Sequence, residues 1–194
     1  MKLLILLTLL TFTTSLLACD EHDTKHLLSK LEWITEEYPP YNFKSESNQL
    51  VGVFPEVLAL VYKELDIKLN INKIMILPWS RLLMYMDNYA RYASFAMVTT
   101  PTRAAKYKLA PLPVTAKISI MVLSSREEKL KSKSFAELNV AVVRGDIGKR
   151  LLDSQQIPVQ QVETVSASSM LSMLLHERVD AVAYSEDVAY FKFQ

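Results

Sequence analysis

The chain has 194 residues, of which half are hydrophobic, with eight prolines and only three glycines. This composition supports a packed core and excludes an intrinsically disordered protein. The 22 basic and 21 acidic side chains nearly cancel, so electrostatics give no reason to expect a nucleic acid or an acidic surface as a partner.

The first eighteen residues are typical of a secretory signal peptide. Lys2 provides the basic start, an apolar run continues to Leu17, and the small residue Ala18 precedes the cleavage point. The run is too short to span a bilayer, which takes about 20 apolar residues. We therefore expect residues 1–18 to be removed and the protein to be exported.

Cys19 is the only cysteine of the sequence, so no intramolecular disulfide can form. Leu16-Leu17-Ala18-Cys19 resembles the lipobox of bacterial lipoproteins, in which the cysteine becomes the lipidated first residue of the mature chain. The alternative is ordinary cleavage nearby, which discards Cys19 or leaves it free. Residues 19–30 are polar, and we interpret them as a tether. A lipid on Cys19 would then be the sole attachment to a membrane.

The mature sequence alternates between strand and helix patterns. Apolar runs bounded by turn residues predict strands at residues 31–35, 71–77, 92–98, 117–123, 139–143, 159–162 and 180–184. Helical spacing predicts helices at residues 54–65, from 78 onward, at 147–154 and at 168–176. The charge run at 126–133 is interpreted as a solvated segment. This order indicates mainly parallel sheets in two α/β units, predicted as lobes at residues 31–115 and 116–194 with a cleft between them.

Arg103 is the first candidate for a ligand-binding residue. Pro101 cannot continue the ladder of the strand before it, so the chain must leave the sheet there. Arg103 therefore follows the C-terminal end of a buried strand, where open α/β sheets bind ligands. Its guanidinium offers a planar fork of donors that matches a carboxylate. The alternative is an ordinary surface arginine.

Arg144-Gly145-Asp146 leads from a predicted strand into a predicted helix. The backbone amides at such a helix start favour an anion. The alternative is that Asp146 caps the helix with its own side chain and competes with an anion. We find no Ser/His/Asp grouping, no phosphate-binding loop and no complete set of metal ligands, so we expect neither a cofactor nor a metal.

Six short motifs follow one another in a recognisable order. They are Thr35-Glu36-Glu37-Tyr38-Pro39-Pro40-Tyr41, Gly52-Val53-Phe54-Pro55-Glu56-Val57-Leu58, Pro78-Trp79-Ser80-Arg81, Phe95-Ala96-Met97-Val98-Thr99-Thr100-Pro101-Thr102-Arg103, Val142-Val143-Arg144-Gly145-Asp146 and Asp180-Ala181-Val182. In this order they resemble the family 3 bacterial extracellular solute-binding proteins, the periplasmic amino-acid receptors of ABC importers. The resemblance implies an α/β, two-lobed periplasmic-binding-protein type II fold. Each lobe would be a mainly parallel sheet flanked by helices.

The resemblance also implies the positions of the binding residues. Arg103 matches the arginine that pairs with the ligand α-carboxylate, and Tyr38 matches the aromatic residue that packs over the ligand. Trp79 falls at a position that lines the pocket. Gly145 and Asp146 match the turn of the second lobe that closes on the carboxylate, since these lobes close like a hinged trap.

Some positions depart from the pattern of the family. Two apolar residues replace the small hydroxyl residues before the arginine and leave Thr99 and Thr100 as the nearby hydroxyls. Asp146 replaces a threonine and would repel a carboxylate. The acid that receives the ligand ammonium falls at Ser185, with the acid Glu186 next to it. An amino acid still fits this set, and a peptide or polyamine-like solute is an alternative.

We therefore predict a non-enzymatic, monomeric protein that captures a small polar solute, an amino acid or a related carboxylate, for an ABC permease or a sensor. One alternative is an enzyme resembling cyclohexadienyl dehydratases, with Glu36 or Glu186 as the acid. Another is a truncated paralogue without a ligand. Family members continue beyond the position of Gln194 to complete the first lobe, which we therefore expect to be incomplete here.

Overall fold

The structure is a computed structural model that describes residues 21–193. Its helices are α1 Glu21–Ser29, α2 Val53–Glu64, α3 Trp79–Asn88, α4 Pro101–Lys106, α5 Glu127–Leu130, α6 Ile147–Ser154, α7 Ala167–Leu175 and α8 Glu186–Lys192. Its strands are β1 Glu32–Thr35, β2 Phe43–Lys44, β3 Leu50–Val51, β4 Met75–Ile76, β5 Tyr92–Ser94, β6 Ile118–Met121, β7 Asn139–Val143, β8 Gln160–Thr164 and β9 Ala181–Ser185. The predicted signal peptide and Cys19 lie outside the described residues.

The first sheet contains three parallel strands in the order β4-β1-β5. Ile34 of the central strand lies opposite Met75 on one side and Ser94 on the other, and it is fully buried. The strands are joined through α2 and α3, as parallel neighbours require a crossover connection. The short β2–β3 hairpin lies between β1 and α2 along the chain.

The second sheet contains four strands in the order β6-β9-β7-β8. β9, β7 and β8 are parallel, whereas β6 runs antiparallel to β9. β7 and β9 are almost continuously apolar and buried, as expected of strands that helices cover on both faces. Gly148 lets α6 approach β9 closely, because a Cβ there would lie 2.0 Å from the carbonyl oxygen of Ala183.

One apolar cluster joins the two halves of the molecule. Its buried members from both halves include Ile34, Tyr38, Trp79, Leu82, Val143, Met170, Leu171, Val182 and Tyr184. Ser80 of α3 also donates to the carbonyl oxygen of Val165, at 3.4 Å, from one half to the other. Three strands, β1, β7 and β9, therefore deliver the residues that follow their carboxyl ends to the same junction.

Two predicted strands of the first half are shorter than expected. Residues 71–77 begin with a 3₁₀ turn, Ile71–Lys73, because the side chain of Asn70 accepts the amide of Asn72 at 3.1 Å and favours a turn. The predicted strand 92–98 ends at Ser94. Ala96 has a φ of 59°, which an extended strand cannot contain. The apolar residues that follow Ser94 pack in a loop instead.

Two polar segments are more ordered than their sequences indicate. The predicted tether forms α1 over its described part, and the hydroxyl of Tyr62 donates to the carbonyl oxygen of Leu28 at 2.9 Å. Most of the charge run 126–133 is exposed, as expected of a solvated segment, but the run is also structured. It contains α5 with the buried Leu130, and Arg126 forms an ion pair with Asp180.

The chain continues beyond β9 into α8, a helix that the strand and helix patterns did not predict. Tyr41 donates a hydrogen bond to Asp187 of this helix at 2.6 Å, and the Phe43 and Phe191 rings are 5.0 Å apart. α8 therefore holds the β1–β2 connection of the first half against the second. Within residues 21–193 no helix is long and apolar enough to cross a membrane. The division into lobes at residue 115 stays a prediction.

Candidate functional site

Arg103 is held at the junction by the start of a short helix. Pro101 occupies the first turn of α4, where its fixed φ and missing amide are tolerated. The hydroxyl of Thr100 caps this helix by accepting the amide of Arg103 at 3.2 Å. The side chain of Arg103 points inward, so that only 3% of the residue is exposed. The alternative of an ordinary surface arginine is therefore wrong.

The guanidinium of Arg103 contacts both halves of the protein. Nη1 donates to the carbonyl oxygen of Val98 at 2.8 Å, and Nη2 donates to that of Gly145 at 3.4 Å. The guanidinium lies over the ring of Trp79 at 5.0 Å, a cation–π contact. Nε is buried and has no partner among the described residues. Burial lowers the pKa of Arg103, against the opposing effect of Asp146.

The turn after β7 carries Gly145 to the first half of the protein. Gly145 has a φ of 72°, and a Cβ there would lie 3.1 Å from Cδ1 of Leu83 in α3. Its carbonyl oxygen also accepts from Nε of Arg150 at 3.4 Å, so two guanidinium groups share it. A glycine is therefore needed both for the backbone conformation and for the close approach to α3.

Asp146 stands at the N-cap position of α6 but does not cap the helix with its side chain. The residue is only 7% exposed and forms no ion pair with the described residues. Burial raises the pKa of Asp146, while the nearby Ile147 amide, Arg103 and Arg150 act in the opposite direction. Asp146 therefore takes the predicted N-cap position without the side-chain cap hydrogen bond, and its buried carboxyl group lies near Arg103 and Arg150.

Glu36 follows the end of β1 and is the second buried acid of the junction, at 8% exposure. Its backbone is fixed by Asn42, whose amide group donates to the carbonyl oxygen of Glu36 at 2.7 Å and to Oγ1 of Thr35 at 2.9 Å. Its carboxyl group forms neither a hydrogen bond nor an ion pair with the described residues. Burial raises the pKa of Glu36 well above its ordinary value, and Asp146 raises it further, whereas Arg103 opposes both effects.

Aromatic rings surround these charges. The ring of Tyr38 stacks on Tyr41, with centroids 5.8 Å apart, and meets Tyr184 edge-on at the same distance. Burial raises the pKa of Tyr184 well above its ordinary value, with Glu36 and Asp146 adding to the effect. The two acids and the two buried tyrosines therefore share one electrostatic environment.

Several buried polar atoms at the junction have no hydrogen-bond partner among the described residues. They are Nε1 of Trp79, Nε of Arg103, the hydroxyl of Tyr184 and Oγ of Ser185. Buried polar atoms of proteins nearly always find a partner, so a concentration of unpaired ones needs an explanation. Unpaired donors next to two unpaired acids are what a site for a small polar molecule requires.

Most of the sequence-predicted site residues come together here. Those at the junction are Glu36, Tyr38, Trp79, Arg103, Gly145, Asp146 and Ser185. Thr100 serves as the cap of α4, and Thr99 is exposed. Glu186 is engaged elsewhere, because it accepts from Ser119 and pairs with Lys117 at 2.9 Å. The ligand-binding role of each residue stays a prediction.

Sequence reasoning missed three residues of the junction, namely Tyr41, Arg150 and Tyr184. Tyr184 is the last large side chain of the buried β9 and precedes Ser185, so its position at the carboxyl end of a strand was a usable signal. Arg150 lies four residues after Asp146, which places both on one face of α6. Tyr41 gave no signal beyond its aromatic character.

Comparisons with known proteins agree with this architecture. The family model of bacterial extracellular solute-binding proteins, family 3, matches residues 33–144. No curated protein sequence matches the chain significantly. Among solved structures, an amino acid ABC transporter substrate-binding protein from Streptococcus pneumoniae bound to L-arginine is similar at 21% identity and a TM-score of 0.72. That match covers 88% of this chain and 72% of the other.

Two further structures have the same fold. An ancestral amino acid-binding protein, described as a precursor of cyclohexadienyl dehydratase, is 20% identical with a TM-score of 0.72, covering 88% of this chain and 77% of the other. A truncated arginine-binding protein from T. maritima, in its arginine-bound form, is 18% identical with a TM-score of 0.69, covering 87% and 80%. The fold class predicted from the sequence is confirmed. The chain belongs to the family 3 bacterial extracellular solute-binding proteins.

Proposed function

We propose that this protein captures a small polar solute of the amino-acid type at the junction of its two sheets. It would then deliver the solute to the permease of an ABC importer or report it to a sensor. The observation that supports this proposal is the group of buried, unpaired polar atoms around Arg103. These atoms lie at the junction to which the carboxyl ends of β1, β7 and β9 lead, which is the usual place for a ligand in an open α/β fold.

Each half of the protein would contribute residues to solute binding. Residues 31–115 and 116–194 would be the two lobes, and Arg103 of the first lobe would reach the solute together with the Gly145 turn of the second. Arginine is the ligand named for two of the similar structures, so amino acids are the first solutes to test. The protein would act as a monomer and without catalysis.

A thermal melt of the purified protein against amino acids and other small polar solutes tests the proposal. A solute that binds only the folded state adds about 2.7 kcal/mol to the free energy of unfolding at a hundredfold excess over its dissociation constant. We expect a cooperative melt that moves to higher temperature with one class of solute. A cooperative melt that no solute moves would instead favour the paralogue without a ligand.

Substitution of the central arginine locates the binding site. We expect Arg103→Ala to weaken solute binding by about 2–5 kcal/mol, because it removes a desolvated charged partner. Arg103→Lys keeps the charge but loses the planar fork, so it should also bind weakly. Arg81→Ala, at an exposed position of α3, is the matched control and should bind normally. Equal affinity of the Arg103 and Arg81 variants would refute the assignment.

An enzyme is the second candidate. The buried Glu36 with its raised pKa fits a general acid, and one similar structure is described as the precursor of a cyclohexadienyl dehydratase. Incubation of purified protein with prephenate or arogenate, followed by product analysis, tests this candidate. We expect no turnover above that of a Glu36→Gln variant.

Export and anchoring are tested separately. We propose that residues 1–18 direct the chain to the periplasm and that Cys19 receives the lipid. Mass spectrometry of the mature protein from the membrane fraction should then find an N-terminal lipidated cysteine. Cys19→Ser should release the protein into the soluble periplasmic fraction. A mature chain that begins elsewhere and carries no lipid would overturn the anchor but not the solute-binding function.

A further inference from the structure

The helix that carries Arg103 has no buried apolar side chain to anchor it. α4 is six residues long, and a helix of this length is not stable by itself in water. Of its six residues, all described, only Arg103 is buried. The exposed ones are Pro101, Thr102, Ala104, Ala105 and Lys106. Apart from the guanidinium itself, contacts at the two ends of α4 must therefore fix the direction of the Arg103 side chain.

The two ends of α4 are held in different ways. At its start the hydroxyl of Thr100 accepts the amide of Arg103 at 3.2 Å. At its end Oδ1 of Asp87, in the last turn of α3, accepts the hydroxyl of Tyr107 and lies 2.6 Å from Nζ of Lys106. The same Nζ lies 5.6 Å from the centroid of the Tyr107 ring. One carboxylate oxygen of α3 therefore binds both the last residue of α4 and the residue that follows it.

α3 connects this carboxylate to the guanidinium. The first residue of α3, Trp79, has the guanidinium of Arg103 over its ring at 5.0 Å. Asp87 lies eight residues later in the same helix, about 12 Å along its axis. α3 is firmly packed, because Trp79 and Leu82 are both buried in the cluster that joins the two halves. α4 is therefore held against one fixed helix both at the guanidinium and at its own end.

We infer that Asp87, Lys106 and Tyr107 form a clasp that positions the guanidinium of Arg103 for the solute. The inference rests on the proposed function, in which Arg103 contacts the solute, and adds three residues that act through Arg103. The backbone links the clasp to Arg103 directly, because the amide of Tyr107 donates to the carbonyl oxygen of Arg103 at 2.8 Å. The clasp holds a long side chain in one orientation before the solute arrives, and such preorganisation reduces the entropy lost on binding.

The exposure of the clasp distinguishes a positioning role from a structural one. The side chains of Asp87 and Lys106 are 35% and 51% exposed. An exposed ion pair adds little to the stability of a fold, so removal of the clasp should affect solute binding more than unfolding. A contact with only a structural role would do the opposite, since it would lower stability and leave the affinity of the folded protein unchanged.

The fluorescence of Trp79 tests the clasp without any solute. Trp33→Phe removes the other tryptophan of the sequence. Arg103→Ala in that background gives the emission of Trp79 with no guanidinium over its ring. We expect Tyr107→Phe and Asp87→Ala to move the emission maximum toward that of Arg103→Ala. Combined with Arg103→Ala, the same two substitutions should have no further effect, because no guanidinium is left to position.

Solute affinity tests the consequence of the clasp. The probe in isothermal titration calorimetry is L-arginine, replaced by the amino acid that raises the melting temperature if L-arginine does not bind. Tyr107→Phe and Asp87→Ala should each weaken binding about three- to tenfold, as expected when one long side chain must be ordered on binding. Asp87→Glu keeps the carboxylate and should restore the affinity. Tyr89→Phe and Lys108→Ala, at exposed positions near the clasp, are the matched controls and should bind normally.

The outcomes separate the inference from the function on which it rests. An emission maximum that Tyr107→Phe and Asp87→Ala leave unchanged overturns the clasp while solute binding stands. So does wild-type affinity of these variants, because the contact is then only structural. Lys106→Gln, which removes the ion pair alone, takes the place of a variant that does not fold. A folded wild-type protein that no amino acid stabilises overturns the proposed function, and the inference falls with it whatever the emission of Trp79 shows.

Discussion

Asp180 and Glu36 are almost equally buried, at 6% and 8% exposure, but their surroundings are opposite. Asp180 accepts the amide of Asn139 at 3.1 Å and lies within ion-pair distance of Arg126 and Lys133. Burial raises the pKa of Asp180, but these partners together bring it below its ordinary value. The carboxyl group of Glu36 has no such partners among the described residues, and burial raises its pKa.

This difference separates an acid that is satisfied within the fold from one that we propose takes part in solute binding. Asp180 directly precedes β9, and its amide donates to the carbonyl oxygen of Asn139 in β7. Its carboxylate pairs with Arg126, so its charge is satisfied within the fold. The backbone carbonyl of Glu36 accepts from Asn42 and from the hydroxyl of Thr35, whereas its carboxyl group has no hydrogen-bond or ion-pair partner among the described residues. An unpaired buried charge lowers the stability of the fold, and such groups occur where a protein binds or reacts.

The largest expected effect is the loss of the paired acid. Asp180→Asn should lower the free energy of unfolding by about 3–5 kcal/mol, because it leaves the largely buried Arg126 without this partner. Glu36→Gln should not lower it, because burial and the repulsion by Asp146 outweigh the stabilising effect of Arg103 on this acid. Urea denaturation of both variants measures the contrast, with Glu163→Gln in an exposed ion pair as a control of less than about 0.5 kcal/mol. Equal destabilisation at positions 180 and 36 would contradict the comparison.

Two glycines near β7 and α6 offer a similar contrast, between a residue needed for packing of the fold and one that we expect to affect solute binding as well. Gly148→Ala should destabilise the fold by about 1–3 kcal/mol, since the new Cβ would overlap the carbonyl oxygen of Ala183. Gly145→Ala should cost about 1 kcal/mol, because its φ is positive, and should in addition weaken solute binding by moving the turn away from Leu83. Thermal melts measured with and without solute distinguish the two variants. If Gly148→Ala lost solute binding and Gly145→Ala kept it, the roles given to the two glycines would be reversed.

The pH dependence of stability should have opposite signs for the two acids. A carboxyl group with a raised pKa in the folded state binds more protons there than in the unfolded chain, so Glu36 makes the protein less stable as the pH rises above about 4.5. Asp180, with its lowered pKa, contributes stability that is lost as the pH falls below about 3.8. Denaturation midpoints should be measured across pH 3–8. Glu36→Gln should no longer lose stability as the pH rises, and Asp180→Asn should no longer lose stability as the pH falls. A Glu36→Gln curve parallel to the wild type would contradict the buried, unpaired state.

The smallest expected effect concerns the contact between the two halves. The hydrogen bond to Asp187 is the main reason that the pKa of Tyr41 rises to about 12. Asp187 is exposed, so Tyr41→Phe should cost only about 0.5–1 kcal/mol of stability. Small-angle scattering without solute should show whether the two halves then separate more. Tyr190→Phe, at an exposed position of the same helix, is the control.

Much of the fold could be predicted because it depends on local patterns. The bounds of β7 and α6 agree with their predictions, since a buried apolar run followed by a glycine turn and an amphipathic segment has few alternatives. The strand 92–98 could not be predicted correctly. Its apolar residues look the same in sequence whether they lie in a sheet or in a packed loop, and the positive φ of Ala96 is imposed by its surroundings.

The residues of the candidate site were likewise predictable only where local sequence patterns identified them. Arg103 was identified from its place after a strand that Pro101 ends, and its burial agrees with that interpretation. Tyr184 and Arg150 were missed because their partners are distant in sequence. In the sequence Glu186 was as good a candidate acid as Glu36, but in the structure it pairs with Lys117 and accepts a hydrogen bond from Ser119.

The sequence by itself determined the α/β class, the order of most helices and strands, and which residues follow the ends of the central strands. These are local properties, set by periodicity, by turn residues and by proline. Only the tertiary structure decided which charges are paired. Asp180 and Glu36 are both acids beside apolar strands. Only the folding of distant segments brings Arg126 and Lys133 within ion-pair distance of Asp180, whereas Glu36 forms no ion pair with the described residues. Pairing depends on distance in space, which a sequence read in order does not contain.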